Sequence, residues 1–169
     1  KVGMLKNLLE GCARILIFLG FIIITSKQKD VHRTYMYHGA EHKTIFCYEK
    51  GLELTIDNVR PQSRFHPRCG TSFLFVVVIV STIITSLFTW RTVWVRLIIR
   101  LLLVPVVVGV SYEINRLVGR YDNALTRILV APGLFMQHFT TVEPDDSMME
   151  VAIEAIKQVI PSGEDEDRW

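Results

Sequence analysis

The residues best equipped for chemistry lie in two short pieces of the chain. Residues 37–44 read Tyr-His-Gly-Ala-Glu-His-Lys-Thr, and residues 64–73 read Arg-Phe-His-Pro-Arg-Cys-Gly-Thr-Ser-Phe. They hold three of the five histidines and one of the three cysteines. His38 and His42 are four residues apart, so on a helix they share a face about 6 Å apart along the axis. Two imidazoles placed in this way can converge on one cation, most often Zn²⁺. Glu41 completes the string His-x-x-Glu-His, the order used by inverzincin metalloproteases, whose carboxylate is the general base. Taken alone the string is weak, because a packed pair of core histidines produces it equally well.

The second piece strengthens the metal reading. His66-Pro67-Arg68-Cys69-Gly70 has the form of a zinc knuckle, with His in place of the usual first Cys. The turn lets ligands three apart reach one ion, and Gly70 relaxes the backbone where N–H groups approach the sulfur. The expected metal ligands are therefore His38, His42, His66 and Cys69, with Zn²⁺ as the expected ion. Four protein ligands would close the coordination sphere and make the site structural. Three would leave a position for hydrolytic chemistry, with Glu41 at hand. The residues leave both open. Cys47 is five beyond His42 and points off that face. His138, in an apolar run, reads as an interfacial side chain. Glu113 and Arg116 are three apart; they form a packing ion pair, or Glu113 is a further ligand or orients a ligand histidine.

The elements that must position these residues are mostly apolar. Half of the 169 residues are hydrophobic, and the mean hydropathy is +0.30. Residues 5–26, 71–90 and 93–112 read as three membrane spans. Arg100 lies deep in the third. The first segment is not a signal peptide, because no small-residue cleavage site follows it. A helix is expected over 34–50, stopped by Gly51. Thr55 starts a short helix that Pro61 ends. The run 125–139 is too short to span and is broken at Pro132-Gly133, which suits an interfacial or re-entrant piece. An amphipathic helix over 146–160 buries Met149, Ala152, Ile153, Ile156 and Ile160. The acidic end, 161–169, is expected to be disordered. The expected fold class is an all-α integral membrane protein, with 1–160 forming one membrane-embedded domain around a metal-binding loop at 34–70.

Eight basic residues lie between the first two spans: Lys27, Lys29, Arg33, Lys43, Lys50, Arg60, Arg64 and Arg68. They place that loop, and the C-terminal part, on the cytoplasmic side. Three widely spaced cysteines make no disulfide framework and suit a reducing compartment. The net charge of +2, without a basic aromatic stripe, argues against nucleic acid as a partner. The expected partners are the lipid bilayer and further copies of the chain.

These residues closely resemble the YqhQ family of bacterial membrane proteins. The resemblance is carried by 37–45, Cys47-Tyr-Glu, Leu54-Thr55, Asn58-Val59 and 64–74. It continues through Pro105, Tyr112-Glu113 with Arg116, Pro132-Gly-Leu134, Gln137, Thr140-Thr141, Glu143-Pro-Asp-Asp146 and Glu150-Val-Ala-Ile153. The resemblance implies a multi-pass protein of the bacterial cytoplasmic membrane, described as a predicted metal-dependent enzyme of unknown function. It also implies a further N-terminal region with a Gly-rich segment, so that this chain is the C-terminal part of such a protein. Two functions are expected on this basis. One is a zinc-dependent hydrolase in which Glu41 moves the proton and Arg68 or Arg116 stabilises an anion. The other is a non-catalytic oligomeric scaffold, channel or transporter with a structural zinc, in which Arg100 and Glu113 are buried or pore-lining groups.

Overall fold

The structure is a computed structural model that describes residues 2–88, 92–121 and 123–160, leaving aside the side chains of 2–4, 7 and 8. The described residues form helices and no strand. The helices are α1 Val2–Thr25, α2 Lys29–Glu49, α3 Ile56–Val59, α4 Gly70–Ser86, α5 Val93–Arg120, α6 Ala124–Thr140 and α7 Asp146–Lys157. The acidic end at 161–169, and residues 89–90 at the end of the expected second span, lie outside the described residues. The chain divides into two compact units. Unit 1 is Lys1–Phe21 with Arg68–Gly133, and unit 2 is Ile22–Pro67 with Leu134–Trp169.

Unit 1 contains the most apolar helices, with α4 packed on α5. The helix α5 is 28 residues long and is apolar enough to cross a membrane by itself. Its Leu101, Leu102 and Val104 are 64%, 70% and 52% exposed. Among the described residues no other helix is by itself long and apolar enough to cross a membrane. The helix α4 stops at Ser86 with 17 residues. At its end Thr85 and Ser86 turn their hydroxyls back onto the Ser81 and Ile83 carbonyls at 2.7 Å each, which competes with helix continuation. In the first expected span, Leu9–Thr25 is long and apolar enough only when taken together with Lys29–Glu49 beyond the break at 26–28. In the third, the helix runs past 112 to Arg120 and carries Glu113 and Arg116 within it. The break expected at Pro132-Gly133 is also absent, and α6 holds Pro132 inside a continuous helix. A proline there removes one N–H donor from the helix.

Unit 2 is built around α2. Asp30 lies in its first turn, where a carboxylate meets the positive end of the helix dipole. That start is earlier than the residue-34 boundary expected. The other end is a Schellman stop. Gly51 has φ +65°, and its N–H and that of Leu52 donate to the Tyr48 and Cys47 carbonyls at 2.8 and 3.1 Å. The short α3 begins at Thr55, whose hydroxyl accepts from the Asn58 N–H at 3.4 Å. The helix α7 packs on α2, and α3 touches both. Between them lies a core of Ala40, Cys47, Val59, Met148, Met149, Ala152 and Ile153. Cys47 is fully buried there, and burial pushes its thiol up from the ordinary range.

Asp145 caps α7 by accepting from the Met148 N–H at 3.0 Å and the Ser147 hydroxyl at 2.6 Å. The Ser147 hydroxyl, followed by the Met148 N–H, holds this carboxyl below the usual carboxylate range. Its contribution to stability is therefore complete above the unfolded value of ~3.9 and is lost as pH falls through the lower folded value. Asp145→Ala should lower the melting temperature at pH 7, with the gap to the parent narrowing in scans below about pH 4. Met149→Ala, at a side chain 2% exposed, should cost about 2–5 kcal/mol in chemical denaturation.

Candidate metal centre

The centre is set by where α6 ends against α2. The last carbonyls of a helix have no partner within it, and here neighbouring side chains use them. His38 Nδ1 lies 2.7 Å from the Thr140 carbonyl oxygen, and Arg64 donates to the Thr141 carbonyl. The close approach depends on Gly39. A Cβ there would overlap the Val142 carbonyl oxygen, and with none present the Val142 N–H reaches the Tyr35 carbonyl at 2.9 Å.

His42 makes the same kind of bond on the other side, its Nδ1 2.6 Å from the Arg64 carbonyl oxygen. A carbonyl only accepts, so Nδ1 carries the proton in both rings. In the neutral form each imidazole then holds its lone pair on Nε2, the arrangement of a metal-ligating histidine oriented by a backbone carbonyl. The two ring centroids are 4.3 Å apart, and the two rings offer donor nitrogens within 4.8 Å of one another. His42 is 4% exposed.

His66 stands beside them, with its ring centroid 5.7 Å from that of His42 and 4.5 Å from Phe46. Its Nε2 lies 3.2 Å from Glu49 Oε2. A carboxylate accepts, so here Nε2 is the protonated nitrogen, the reverse of the other two rings. The backbone of His66 is held at both ends by one side chain. Its N–H donates to Gln137 Oε1 at 2.8 Å, and its carbonyl accepts from Gln137 Nε2 at 2.7 Å. Gln137 is fully buried. Lys43, 4% exposed, donates to the Arg60 carbonyl at 2.8 Å and pairs with Glu143. A buried ammonium is tolerated only with such partners, and this one ties α2 to both chain segments that supply the carbonyls.

Glu41 is exposed on α2, one residue before His42. The remaining site residues named from the sequence belong to unit 1. Cys69 is the N-cap of α4 and is 3% exposed, with Sγ 2.9 Å from Thr71 Oγ1. Arg68 lays its stem on α5, where a Cβ at Gly119 would come 2.5 Å from Arg68 Cδ. Glu113 and Arg116 form an exposed pair at 3.7 Å on α5, a contact worth ~0–1 kcal/mol.

Gln137, Glu49 and Lys43 carry no signal of these roles in the sequence. A lone Gly inside a helical pattern is a signal of close backbone approach, and Gly39 between the two ligand positions carried it. The carbonyls of Thr140 and Arg64 leave no trace in residue types.

A model of the family described as "Protein of unknown function (DUF1385)" matches residues 1–162. The chain belongs to this family. The protein of Bacillus subtilis (strain 168) named "Uncharacterized protein YqhQ" is 40% identical over 153 residues, which are 90% of this chain and 48% of that protein. The resemblance to the YqhQ family is thereby borne out, and the chain spans about half the length of the curated relative it matches. No solved structure matches. In this DUF1385 chain, Gln137→Leu should leave the His66 N–H and carbonyl buried without the amide. The expected loss is about 1–3 kcal/mol for each orphaned group, read as a lower denaturation midpoint, while His138→Leu at an exposed neighbouring site should change it little.

Proposed function

We propose that this DUF1385 chain is the metal-binding part of a zinc-dependent membrane hydrolase, with His38, His42 and Cys69 as the ligands. The observation that carries the reading is the pair of Nδ1–H bonds to the Thr140 and Arg64 carbonyls, which direct both Nε2 lone pairs to ligation. Cys69 follows His66 by three residues, so chain length alone keeps it within about 11 Å of a residue whose ring stands beside His42. A mixed imidazole and thiolate set suits zinc, and three protein ligands with an open position are the pattern of catalytic sites. At the N-cap of α4 the helix dipole favours a thiolate.

Zinc bound there would supply Lewis acidity and activate water. The chain's own residues do the rest. Glu41, exposed beside His42, accepts and returns the proton. Arg68 and Arg116 are assigned to an anionic substrate or intermediate, and Glu113 to orienting Arg116. The exposed apolar face of α5 supports the bilayer as partner. The eight basic residues of 27–68 support a cytoplasmic-side site in a bacterial membrane protein.

The alternative is a structural zinc in an oligomeric scaffold, channel or transporter. It is favoured by His66, which stands near enough to His42 to serve as a fourth ligand through Nδ1. Titration of the purified protein with Co²⁺ separates the two. His38→Ala and His42→Ala should each weaken binding at least about 100-fold, and Cys69→Ser should remove the sulfur-to-cobalt charge-transfer band. Glu41→Gln should bind Co²⁺ as the parent does. Unchanged Co²⁺ binding in the two His variants would contradict the metal centre. A His66→Ala variant that loses Co²⁺ as completely would contradict the open, catalytic form.

A further inference from the structure

Unit 1 carries a second group of charged residues that the metal centre does not use. Glu10 and Arg14 are one turn apart on α1, and Arg96 and Arg100 are one turn apart on α5. A single carboxylate oxygen, Glu10 Oε2, lies 3.5 Å from an Arg14 nitrogen and 3.7 Å from an Arg100 nitrogen. Both distances exceed the ~2.7–2.9 Å of a charge-assisted hydrogen bond. Glu10 therefore stands between two guanidinium groups without closing a fork on either. The charged groups acting on Arg100 are Arg14 and Arg96, which repel it, and Glu10, which attracts it. Two guanidinium groups share one carboxylate, and Arg96, one turn from Arg100, adds to the positive excess.

The surroundings make this excess costly. Arg14 and Arg100 are 41% and 38% exposed, and their neighbours on the two helices are apolar and outward-facing. Ile17, Leu97, Ile98 and Leu101 are 72%, 48%, 56% and 64% exposed. Charge beside lipid-facing apolar surface requires a counter-charge, and Glu10 supplies one of the three needed. Each guanidinium has five N–H donors in a planar fork that matches an oxyanion. The phosphate of a phospholipid presents such an oxyanion.

We infer that Arg14 and Arg100, which share Glu10 between α1 and α5, with Arg96 one turn from Arg100, form a binding site for a phosphate oxyanion carried by an anionic phospholipid. This rests on the reading of α5 as a membrane helix and is independent of the metal centre. Glu10 spaces the arginines and limits their mutual repulsion, while the phosphate completes the neutralisation.

The test is the thermal stability of the whole chain in nanodiscs of phosphatidylcholine against nanodiscs containing phosphatidylglycerol. The anionic lipid should raise the melting temperature by about 4 °C, and the Arg14→Gln, Arg100→Gln double variant should lose that rise. Glu10→Gln leaves the arginines in place and should keep or enlarge the rise, which guards against a double variant that fails to fold. Inorganic phosphate added to phosphatidylcholine discs tests the other source. A smaller rise than with phosphatidylglycerol assigns the site to the lipid, and an equal one transfers it to free phosphate and overturns the lipid assignment. Equal melting temperatures in the two lipids, or a rise that survives in the double variant, would overturn the site alone. A chain that stays in aqueous solution and does not enter discs would overturn the membrane reading as well.

Discussion

Two backbone carbonyls decide what the histidine pair can do. Thr140 and Arg64 each accept from an Nδ1–H, at 2.7 and 2.6 Å, and so choose the tautomer of His38 and of His42. Such a bond is worth only ~0.5–1.5 kcal/mol of net stability, but its effect on chemistry is larger because it fixes where the lone pair points. Everything around the pair serves to bring those carbonyls in. The helix α6 must end at Thr140 so that its carbonyl is unclaimed by a further turn. Gly39 must lack a Cβ so that 140–143 can lie on α2. Lys43 and Gln137 then secure the two segments through Arg60 and His66.

The same constraint explains the unusual polarity of unit 2. Lys43, Gln62, His66, Gln137, Thr140 and Thr141 are all buried, and no buried side-chain nitrogen or oxygen atom among the described residues lacks a hydrogen-bond partner. A buried polar network is costly unless it is complete. Here it is complete, and His38 and His42 join it through the Thr140 and Arg64 carbonyls. The apolar core of the unit lies elsewhere, between α2, α3 and α7. One face of α2 therefore supplies stability through Ala40 and Cys47, while another carries the polar work.

Much of unit 2 was legible in the sequence because its signals are local. The i, i+4 spacing of His38 and His42, the stop at Gly51, the Thr55 start and the amphipathic pattern from Asp146 are all written within a turn or two. Long-range partners were not legible. Nothing near His66 announces Glu49 or Gln137, and backbone carbonyls have no residue type to read. In unit 1 the apolar runs gave helices but not their lengths. Hydroxyls at 82–86 end α4 early, and α5 continues through the polar turn Glu113–Arg116 to Arg120. The division into two units follows from which helices pack together, a non-local property that hydropathy does not encode.

The most direct test of the central claim is the tautomeric state of His38 and His42 in the metal-free protein. Long-range nitrogen–proton correlation NMR on histidine-labelled chain, with single His→Gln variants for assignment, reads it directly. Both rings should carry a proton on Nδ1 with Nε2 bare, while His66 carries one on Nε2. Finding the proton on Nε2 in His38 or His42, or rapid exchange between the two nitrogens, would contradict it.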